Sequence, residues 1–187
     1  MEEREAIEQL QRGDVGGLEF LVRQYQVRAI RTAYLVTRDA STAEDVVQTA
    51  FVKAYERISQ FDRHRPFGPW FLRSVLHDAI KVAEKRHRLV SLDASSGDET
   101  THETLALADA RPGPAELWER AETSEEVWAA LRQLTPRQRA AVVARYYLDW
   151  SEARMADASN CAPSAIKWRL HAARERLRLL LRPTTTE

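Results

Sequence analysis

Hydrophobic residues recur along this chain at intervals of three and four positions with polar residues between them, which is the pattern of amphipathic α-helices. The pattern predicts eight helices, at residues 2–12, 16–37, 41–59, 69–88, 115–133, 136–147, 151–158 and 163–182. Few segments alternate between apolar and polar residues, and the chain has only six glycines. Because the strong helix formers Ala, Leu, Arg and Glu dominate, we predict an all-α fold.

Local signals mark several helix ends. Ser41, followed by Glu44 three residues later, fits a capping box, so the third helix is expected to begin there. Thr135 and Pro136 form a favourable helix start, with a capping hydroxyl and a proline at the first helical position. Two prolines and one glycine within residues 61–69 predict a loop or broken turn before the fourth helix.

Residues 91–114 differ from the rest of the chain. They are rich in Ser, Asp and Thr, and the Arg-Pro-Gly-Pro run at 111–114 breaks any helix. We therefore predict two small helical domains, at 1–90 and 115–182, joined by a flexible acidic linker. The tail at 183–187 is expected to be disordered.

Charge is unevenly distributed, although the net charge is zero. Residues 73–88 carry five basic and two acidic side chains, and residues 132–182 carry eleven basic and four acidic ones. Between them, residues 91–126 carry two basic and ten acidic side chains. Two basic segments separated by an acidic one predict two anion-binding surfaces, although ordinary solvated helix faces have the same composition.

Composition also narrows the class of protein. Cys161 is the single cysteine, so no internal disulfide is possible, and no apolar run approaches the roughly 20 residues that span a bilayer. The acidic start, Met-Glu-Glu-Arg-Glu, is unlike a signal peptide, so we expect a cytoplasmic protein without membrane insertion. Since the five histidines lack metal-ligand spacing and no glycine-rich phosphate loop is present, we expect neither an enzyme nor a cofactor nor a small-molecule substrate.

The last two helices suit a helix-turn-helix, with Asn160 as a left-handed residue in the turn. Ile166, Leu170, Ala173 and Leu177 fall within one arc of the final helix and are expected to face the core. The opposite side and its flanks carry the residues expected to reach DNA, which are Ser164, Lys167, Trp168, Arg169, His171 and Arg174. An amphipathic hairpin in any bundle has the same spacing, and Trp168 also suits an anchor for a protein partner.

Five cations of the fourth helix are spaced by four, four, four and three residues, which places them on one face: Arg73, His77, Lys81, Lys85 and Arg88. The opposite face is apolar and is expected to pack inward through Phe71, Val75, Ala79 and Val82. Two more cations and two aromatic rings precede the stripe, at Arg63, Arg65, Phe67 and Trp70. Cations interleaved with rings suit a DNA strand with unstacked bases, although the rings suit a core equally well and the stripe suits solvent.

The predicted third helix has two contrasting faces. Its apolar face comprises Val47, Ala50, Phe51, Ala54 and Ile58. Its opposite face is polar and carries Asp45, Gln48, Lys53 and Glu56.

Together these segments resemble the RNA polymerase sigma factors of the sigma-70 family, and in particular their two-domain extracytoplasmic-function group. The resemblance is carried by residues 43–48 with Phe51 and Tyr55, and by residues 66–73, 134–140, 146–149 and 167–174. These runs occur in the family's order on either side of the acidic linker.

The resemblance implies a region 2-like helical bundle at 1–90, a region 4-like helix-turn-helix at 115–182, and an alternative sigma factor that directs promoter-specific initiation. The polymerase β′ clamp helices would be contacted through Asp45, Gln48, Thr49, Lys53 and Glu56. The −10 element would be bound and melted through Arg63, Arg65, Phe67, Trp70, Arg73, His77, Lys81 and Lys85. The second domain would contact the β flap and, through residues 163–174, the −35 element. Because many members are held inactive by an anti-sigma protein, such a partner is expected too.

Several positions depart from the family's pattern, among them Thr49, His77 and Lys81 in the first domain and Ser159 in the second. Ala162 stands where a serine or threonine commonly caps the recognition helix, Trp168 replaces a small or polar residue, and Arg154 replaces a glutamate. A second function therefore stays open: a sigma-like adaptor that binds polymerase or an anti-sigma protein with reduced or altered reading of DNA.

Overall fold

A computed structural model describes residues 2–92 and 125–181 of the 187-residue chain. The chain divides into two compact units, Met1–Asp98 and Glu99–Glu187. Every regular element within the described residues is helical, which confirms the predicted all-α fold. Most of the predicted linker and the predicted tail, as well as residues 115–124 of the fifth predicted helix, lie outside the described residues.

Residues 2–92, the described part of the first unit, form a bundle of four α-helices and one short 3-10 turn. These are α1 (Glu3–Gln11), α2 (Gly16–Thr37), α3 (Ala40–Arg57), the 3-10 turn Ile58–Gln60 and α4 (Phe67–Leu92). Helix α2 packs against α1, α3 and α4, and α3 also packs against α4. The apolar face predicted for the third helix is buried throughout, because it faces these neighbours.

Aromatic rings fill the centre of this bundle. The Phe67 and Phe71 rings stack with their centroids 5.5 Å apart, and Phe51 lies 4.4 Å from Phe71. Tyr25 of α2 adds a fourth ring, 5.5 Å from Phe67. Contacts of this kind contribute about 0.5–1.5 kcal/mol per pair beyond the area they bury, so the start of α4 is fixed from several sides.

Helix α1 is held close to the bundle by backbone and side-chain contacts. A Cβ atom on Gly17 would lie 2.1 Å from the Ala6 carbonyl oxygen, so only glycine permits this approach of α1 to α2. The Gln11 amide donates to the carbonyl oxygens of Ile58 and Phe61, at 3.0 Å each. These bonds tie the end of α1 to the turn that leads into α4.

The start of the third helix differs from the prediction. Asp39, with extended backbone, is its N-cap, and its carboxylate accepts from the Thr42 amide at 2.7 Å. The capping box predicted at Ser41 is therefore wrong, since Ser41 already lies inside the first turn. Arg38, at φ 64°, ends α2 just before this cap.

The fourth helix begins at Phe67, two residues before the predicted start at Pro69. A proline is tolerated there because the first four amides of a helix have no intrahelical partner. Residues 67–69, predicted as loop, therefore belong to the first turn of α4.

Within residues 125–181, the described part of the second unit, four α-helical segments and one π-helix occur. Residues 125–132 are helical and are denoted α5; they are followed by α6 (Pro136–Val142), the π-helix Val143–Tyr147, α7 (Glu152–Ala158) and α8 (Pro163–Leu180). Thr135 and Gln138 form a capping box at the start of α6, where the sequence predicts a capped start. A single helix was predicted over 136–147, but its last five residues form the π-helix.

Helix α8 packs against both α6 and α7. Its predicted inner residues Ile166, Leu170 and Ala173 are buried, and Leu177 is partly buried against the same core. Asn160 has the predicted left-handed backbone, at φ 46°, in the turn between α7 and α8. The predicted helix-turn-helix is thus present as a packed unit.

Candidate polymerase and nucleic-acid surfaces

The five basic residues predicted to share one face of α4 are all exposed: Arg73, His77, Lys81, Lys85 and Arg88, hereafter the basic face of α4. On the opposite side, Phe71, Val75 and Ala79 are buried as predicted. Val82 is 38% exposed, so its predicted inward packing is wrong; Ala83, four residues after Ala79, takes the inner place. The basic face therefore lies on a helix that is anchored by its other side.

The two rings predicted to bind DNA differ in accessibility. Phe67 is 0% exposed, so the prediction that its ring contacts DNA is wrong: the ring stacks inside the bundle. Trp70 is partly exposed, and its ring packs 4.9 Å from Phe61 and 5.5 Å from Phe67. The buried Phe67 ring thus packs against the inner side of Trp70. Of the two rings, only Trp70 is accessible to solvent, beside the basic face of α4.

The loop before α4 adds two exposed guanidinium groups. Arg63 lies 3.5 Å from a Glu8 carboxylate oxygen and Arg65 lies 3.6 Å from one of Asp62. Both pairs are solvent-exposed, and pairs of this kind contribute between zero and about 1 kcal/mol. Such weak pairs leave both guanidinium groups available to another anion.

A carboxylate from α1 reaches the first turn of α4. The Phe67 amide donates to Glu3 Oε1 at 3.1 Å, and the Tyr25 hydroxyl donates to Glu3 Oε2. Burial raises the pKa of the Tyr25 phenol above its ordinary value, and the hydrogen bond to Glu3 raises it further. Nothing near Phe67 in the sequence signals this contact, because 64 residues separate the partners.

The outer face of α3 carries four of the five residues predicted to contact polymerase. Asp45, Gln48, Thr49 and Glu56 are all exposed, at spacings that place them along one side of the helix. Val52, which is not among the predicted contacts, lies in the middle of this row and is 57% exposed. These five residues are hereafter the outer face of α3.

The fifth predicted residue, Lys53, has a partner inside the protein. Its Nζ lies 2.8 Å from Asp78 Oδ2 on α4. The same carboxylate lies 3.8 Å from the imidazole of His77 on the basic face, measured from Asp78 Oδ1 to His77 Nδ1. Lys53 therefore lies at the α3–α4 contact, beside the basic face of α4.

The outward side of α8 exposes most of the residues predicted to reach DNA: Ser164, Lys167, Trp168, His171 and Arg174. Trp168 is 68% exposed, an unusual position for so large an apolar ring. Arg169 is partly buried, with its Nη1 3.8 Å from Cys161 Sγ in the preceding turn. Together these six residues are hereafter the outer face of α8.

The ends of the two helices of this motif are stabilised differently. Ser151 caps α7 through a bond from the Arg154 amide, whereas Ala162 has no side-chain bond to the start of α8. The Arg154 guanidinium lies 5.1 Å from the centre of the buried Trp150 ring, a cation–π contact. The arginine that departs from the family's pattern is therefore part of the packing before the turn.

Within 2–92 and 125–181, no group of three or more His, Cys, Asp or Glu side chains has the geometry to hold a metal ion. No helix in these ranges has the length and apolar character needed to cross a membrane.

Comparison with known proteins identifies the family. Residues 21–89 match the model of Sigma-70 region 2 and residues 124–177 match that of Sigma-70, region 4. The chain is 32% identical over 157 residues to the ECF RNA polymerase sigma factor SigL of Mycobacterium tuberculosis, covering 81% of each chain. It is 27% identical to the ECF RNA polymerase sigma factor SigW of Bacillus subtilis, covering 96% of each.

Its fold is similar to that of the sigma factor RpoE of Bartonella quintana, solved in complex with the anti-sigma factor NepR. The TM-score is 0.64 at 23% identity, over 89% of this chain and 97% of that one. The two family models and the relatives match the same two helical units that the structure shows. The chain belongs to the sigma-70 family of RNA polymerase sigma factors, in its extracytoplasmic-function group, and directs promoter-specific initiation of transcription.

Proposed function

We propose that the basic face of α4, together with Trp70, Arg63 and Arg65, binds and melts the −10 element. The observation that carries this assignment is the row of exposed cations that starts one turn after a partly exposed tryptophan. Cations hold the phosphates of a separated strand, and an aromatic ring gives an unstacked base a surface to stack on. Such stacking contributes about 1–3 kcal/mol per base, so one ring has a measurable effect.

The outer face of α3 is the proposed contact with the β′ clamp helices of core polymerase. It carries Asp45, Gln48, Thr49 and Glu56 around the exposed Val52. An apolar side chain within a polar rim is typical of the centre of a protein interface. Lys53 is bonded to Asp78 of α4 and is not part of this face.

The second unit is proposed to contact the β flap and to read the −35 element through the outer face of α8. Lys167 and Arg174 are placed to meet phosphates, and Ser164 and His171 to meet base edges, when the start of α8 enters the major groove. Arg169, partly buried beside Cys161, contributes its charge from the flank.

Because the similar Bartonella sigma factor was solved with an anti-sigma factor, we propose an anti-sigma partner for this chain as well. The exposed Trp168 ring suits an anchor for such a partner. Since its polymerase is cytoplasmic, the chain is proposed to act in the cytoplasm without catalytic activity of its own.

A second candidate function is a sigma-like adaptor with reduced or altered reading of DNA. Two observations favour it: α8 lacks a side-chain cap at Ala162, and Trp168 occupies the face expected to meet DNA. In this alternative the outer face of α3 and the polymerase contact are retained, while the outer face of α8 binds protein.

Reconstitution with core polymerase separates the two functions. The chain is mixed with core enzyme, and promoters are selected from a random DNA library. Recovery of a −10 and a −35 sequence supports the sigma factor with both readings, whereas tight polymerase binding without any selected promoter supports the adaptor.

Lys81→Ala should then slow open-complex formation and leave polymerase binding unchanged, and Arg169→Ala should weaken the −35 footprint. Arg23→Ala is the control, because that exposed arginine pairs with Glu19 along α2 and belongs to none of the three proposed surfaces.

A further inference from the structure

The N-terminal helix holds the start of the proposed strand-binding helix through one side chain. We infer that Glu3 is a positioning residue for strand capture: it fixes the first turn of α4 and so sets the place of Trp70 and Arg73. The inference rests on the proposed role of α4 at the −10 element. It assigns a part in DNA opening to α1, a helix that carries none of the predicted DNA contacts.

A hydrogen bond to Glu3 holds the start of α4. Phe67 is the first residue of α4, and its amide is one of the four at a helix N-terminus that have no partner within the helix. Glu3 Oε1 accepts this bond at 3.1 Å across 64 residues of sequence. A negative charge is also favoured there by the helix dipole, so the carboxylate stabilises the first turn twice.

The Glu3 carboxylate is itself held in place by a second hydrogen bond. Its other oxygen accepts from the Tyr25 hydroxyl of α2, so both oxygens are engaged by different helices. A tyrosine phenol is protonated at neutral pH, so Tyr25 is a donor, and burial and Glu3 raise its pKa further. Three helices therefore meet at one carboxylate.

The space around the first turn of α4 is tightly filled. A Cβ atom on Gly68 would lie 2.7 Å from the Tyr25 ring, so the ring of Tyr25 presses directly on the backbone that Glu3 holds. Phe67 is fully buried between these groups. The first turn of α4 thus has no freedom to shift along or around its axis without breaking these contacts.

The first turn of α4 sets the positions of two proposed DNA contacts. Trp70 follows Phe67 by three residues and packs on its ring at 5.5 Å, and Arg73 follows by six, one turn further along the same side. Groups that must meet a flipped base and a phosphate together need placement to within about 0.5 Å. A first turn that frays would leave both groups attached but misplaced. The outer face of α3 lies on another helix, so the contact with polymerase should persist.

The test compares Glu3→Ala, Glu3→Gln and Tyr25→Phe in the full chain. Glu19→Ala is the matched control, since it removes an exposed glutamate that pairs only along α2 with Arg23. Hydrogen exchange is measured at the amides of Phe67, Gly68 and Trp70 within residues 67–70, since Pro69 has none, and binding to core polymerase is measured separately. Holoenzyme is then titrated with the fluorescent non-template strand of a promoter selected by the wild-type chain.

For Glu3→Ala we expect exchange at 67–70 to rise about tenfold or more, as loss of one charge-assisted hydrogen bond implies. Strand affinity should fall by about the same factor, with polymerase affinity unchanged. Glu3→Gln should recover most of the strand affinity, because its amide oxygen still accepts from the Phe67 amide. Tyr25→Phe should give an intermediate loss.

Two results would overturn the inference. Unchanged exchange at 67–70 in Glu3→Ala would show that the carboxylate does not hold this turn. Equal loss of strand and polymerase affinity, without recovery in Glu3→Gln, would reduce Glu3 to a general stabiliser of the bundle. Failure of the proposed function looks different: exchange rises as expected, but even the wild-type holoenzyme does not bind the strand, and the role in capture falls with it.

Discussion

Lys53 Nζ donates to Asp78 Oδ2 at 2.8 Å, and this ion pair joins α3, which carries the proposed polymerase contact, to α4, which carries the proposed DNA contact. Asp78 is largely buried and lies next to His77 of the basic face. The charge of Lys53 thus neutralises a carboxylate that approaches the basic face of α4. Lys53 acts from behind the proposed DNA surface and not on the outer face of α3.

A double-mutant cycle tests this pair. Lys53→Met and Asp78→Asn should each destabilise the chain, with a coupling free energy of about 1 kcal/mol, as is usual for a partly exposed pair. Lys53→Met should leave polymerase affinity unchanged, whereas Gln48→Ala on the outer face should lower it. A larger loss of polymerase affinity in Lys53→Met than in Gln48→Ala would return Lys53 to the polymerase contact.

Asp39 is predicted to give the first unit a stability that depends on pH. The hydrogen bonds from Thr42 hold the pKa of Asp39 below its usual range, and the Arg86 guanidinium at 3.2 Å lowers it further. Because the folded pKa is depressed, the contribution is full above the unfolded value of about 3.9 and is lost as the pH falls through the folded value. Asp39→Ala should cost about 1 kcal/mol at pH 7.

Thermal unfolding at several pH values measures this contribution. The difference between wild type and Asp39→Ala should be constant from pH 7 to 5 and shrink below about pH 4. Asp39→Asn is the control, since asparagine caps well but carries no charge, so it should retain most of the stability at pH 7. A difference that grows as the pH falls would contradict the assignment.

Gly68 is predicted to be irreplaceable where α4 meets Tyr25. Gly68→Ala should destabilise the first unit by about 1–3 kcal/mol, because the new methyl group would lie 2.7 Å from the Tyr25 ring. The cost should fall in a Tyr25→Ala background, where the ring is gone. Gly16→Ala serves as control, since its Cβ would meet only the flexible Asp14 carboxylate at 3.2 Å. Chemical denaturation of all four variants settles the comparison, and an equal cost in both backgrounds speaks against the clash.

Ala162 offers a gain of stability. Its backbone is extended at φ −64° and ψ 145°, as a capping residue requires, and Pro163 already occupies the first helical position. Ala162→Ser should therefore stabilise the second unit by about 1 kcal/mol, measured from the slowest-exchanging amides of α8. Ala153→Ser, an exposed change inside α7, should give no gain. If both variants behave alike, capping is not what α8 lacks.

Periodicity predicted the helices well because burial of one face is a local property of the sequence. It placed Val47, Ala50 and Phe51 inward and the cations of α4 outward, as observed. It misplaced Val82, since the inner stripe of a long helix drifts and Ala83 replaces it.

Helix starts were harder to predict because the groups that satisfy the first amides need not be neighbours. At α3, Asp39 competes with Ser41 two residues later, and backbone conformation decides in favour of the aspartate. At α4, the acceptor for the Phe67 amide is Glu3, and no local pattern points to it. The burial of Phe67 follows from the same arrangement, so the site residues that depend on long-range contacts are the ones the sequence left open.

The π-helix Val143–Tyr147 makes the length of the chain matter at one place in the second unit. It contains a surplus residue relative to an α-helical turn, and the Leu148 amide reaches back five residues to the Val143 carbonyl. Deleting one residue there would rotate all that follows by about 100° around the helix axis, turning Leu148 off the core. Insertions and deletions are tolerated in most loops, but we expect none in this turn. Its length determines which sides of α7 and α8 face the core of the second unit.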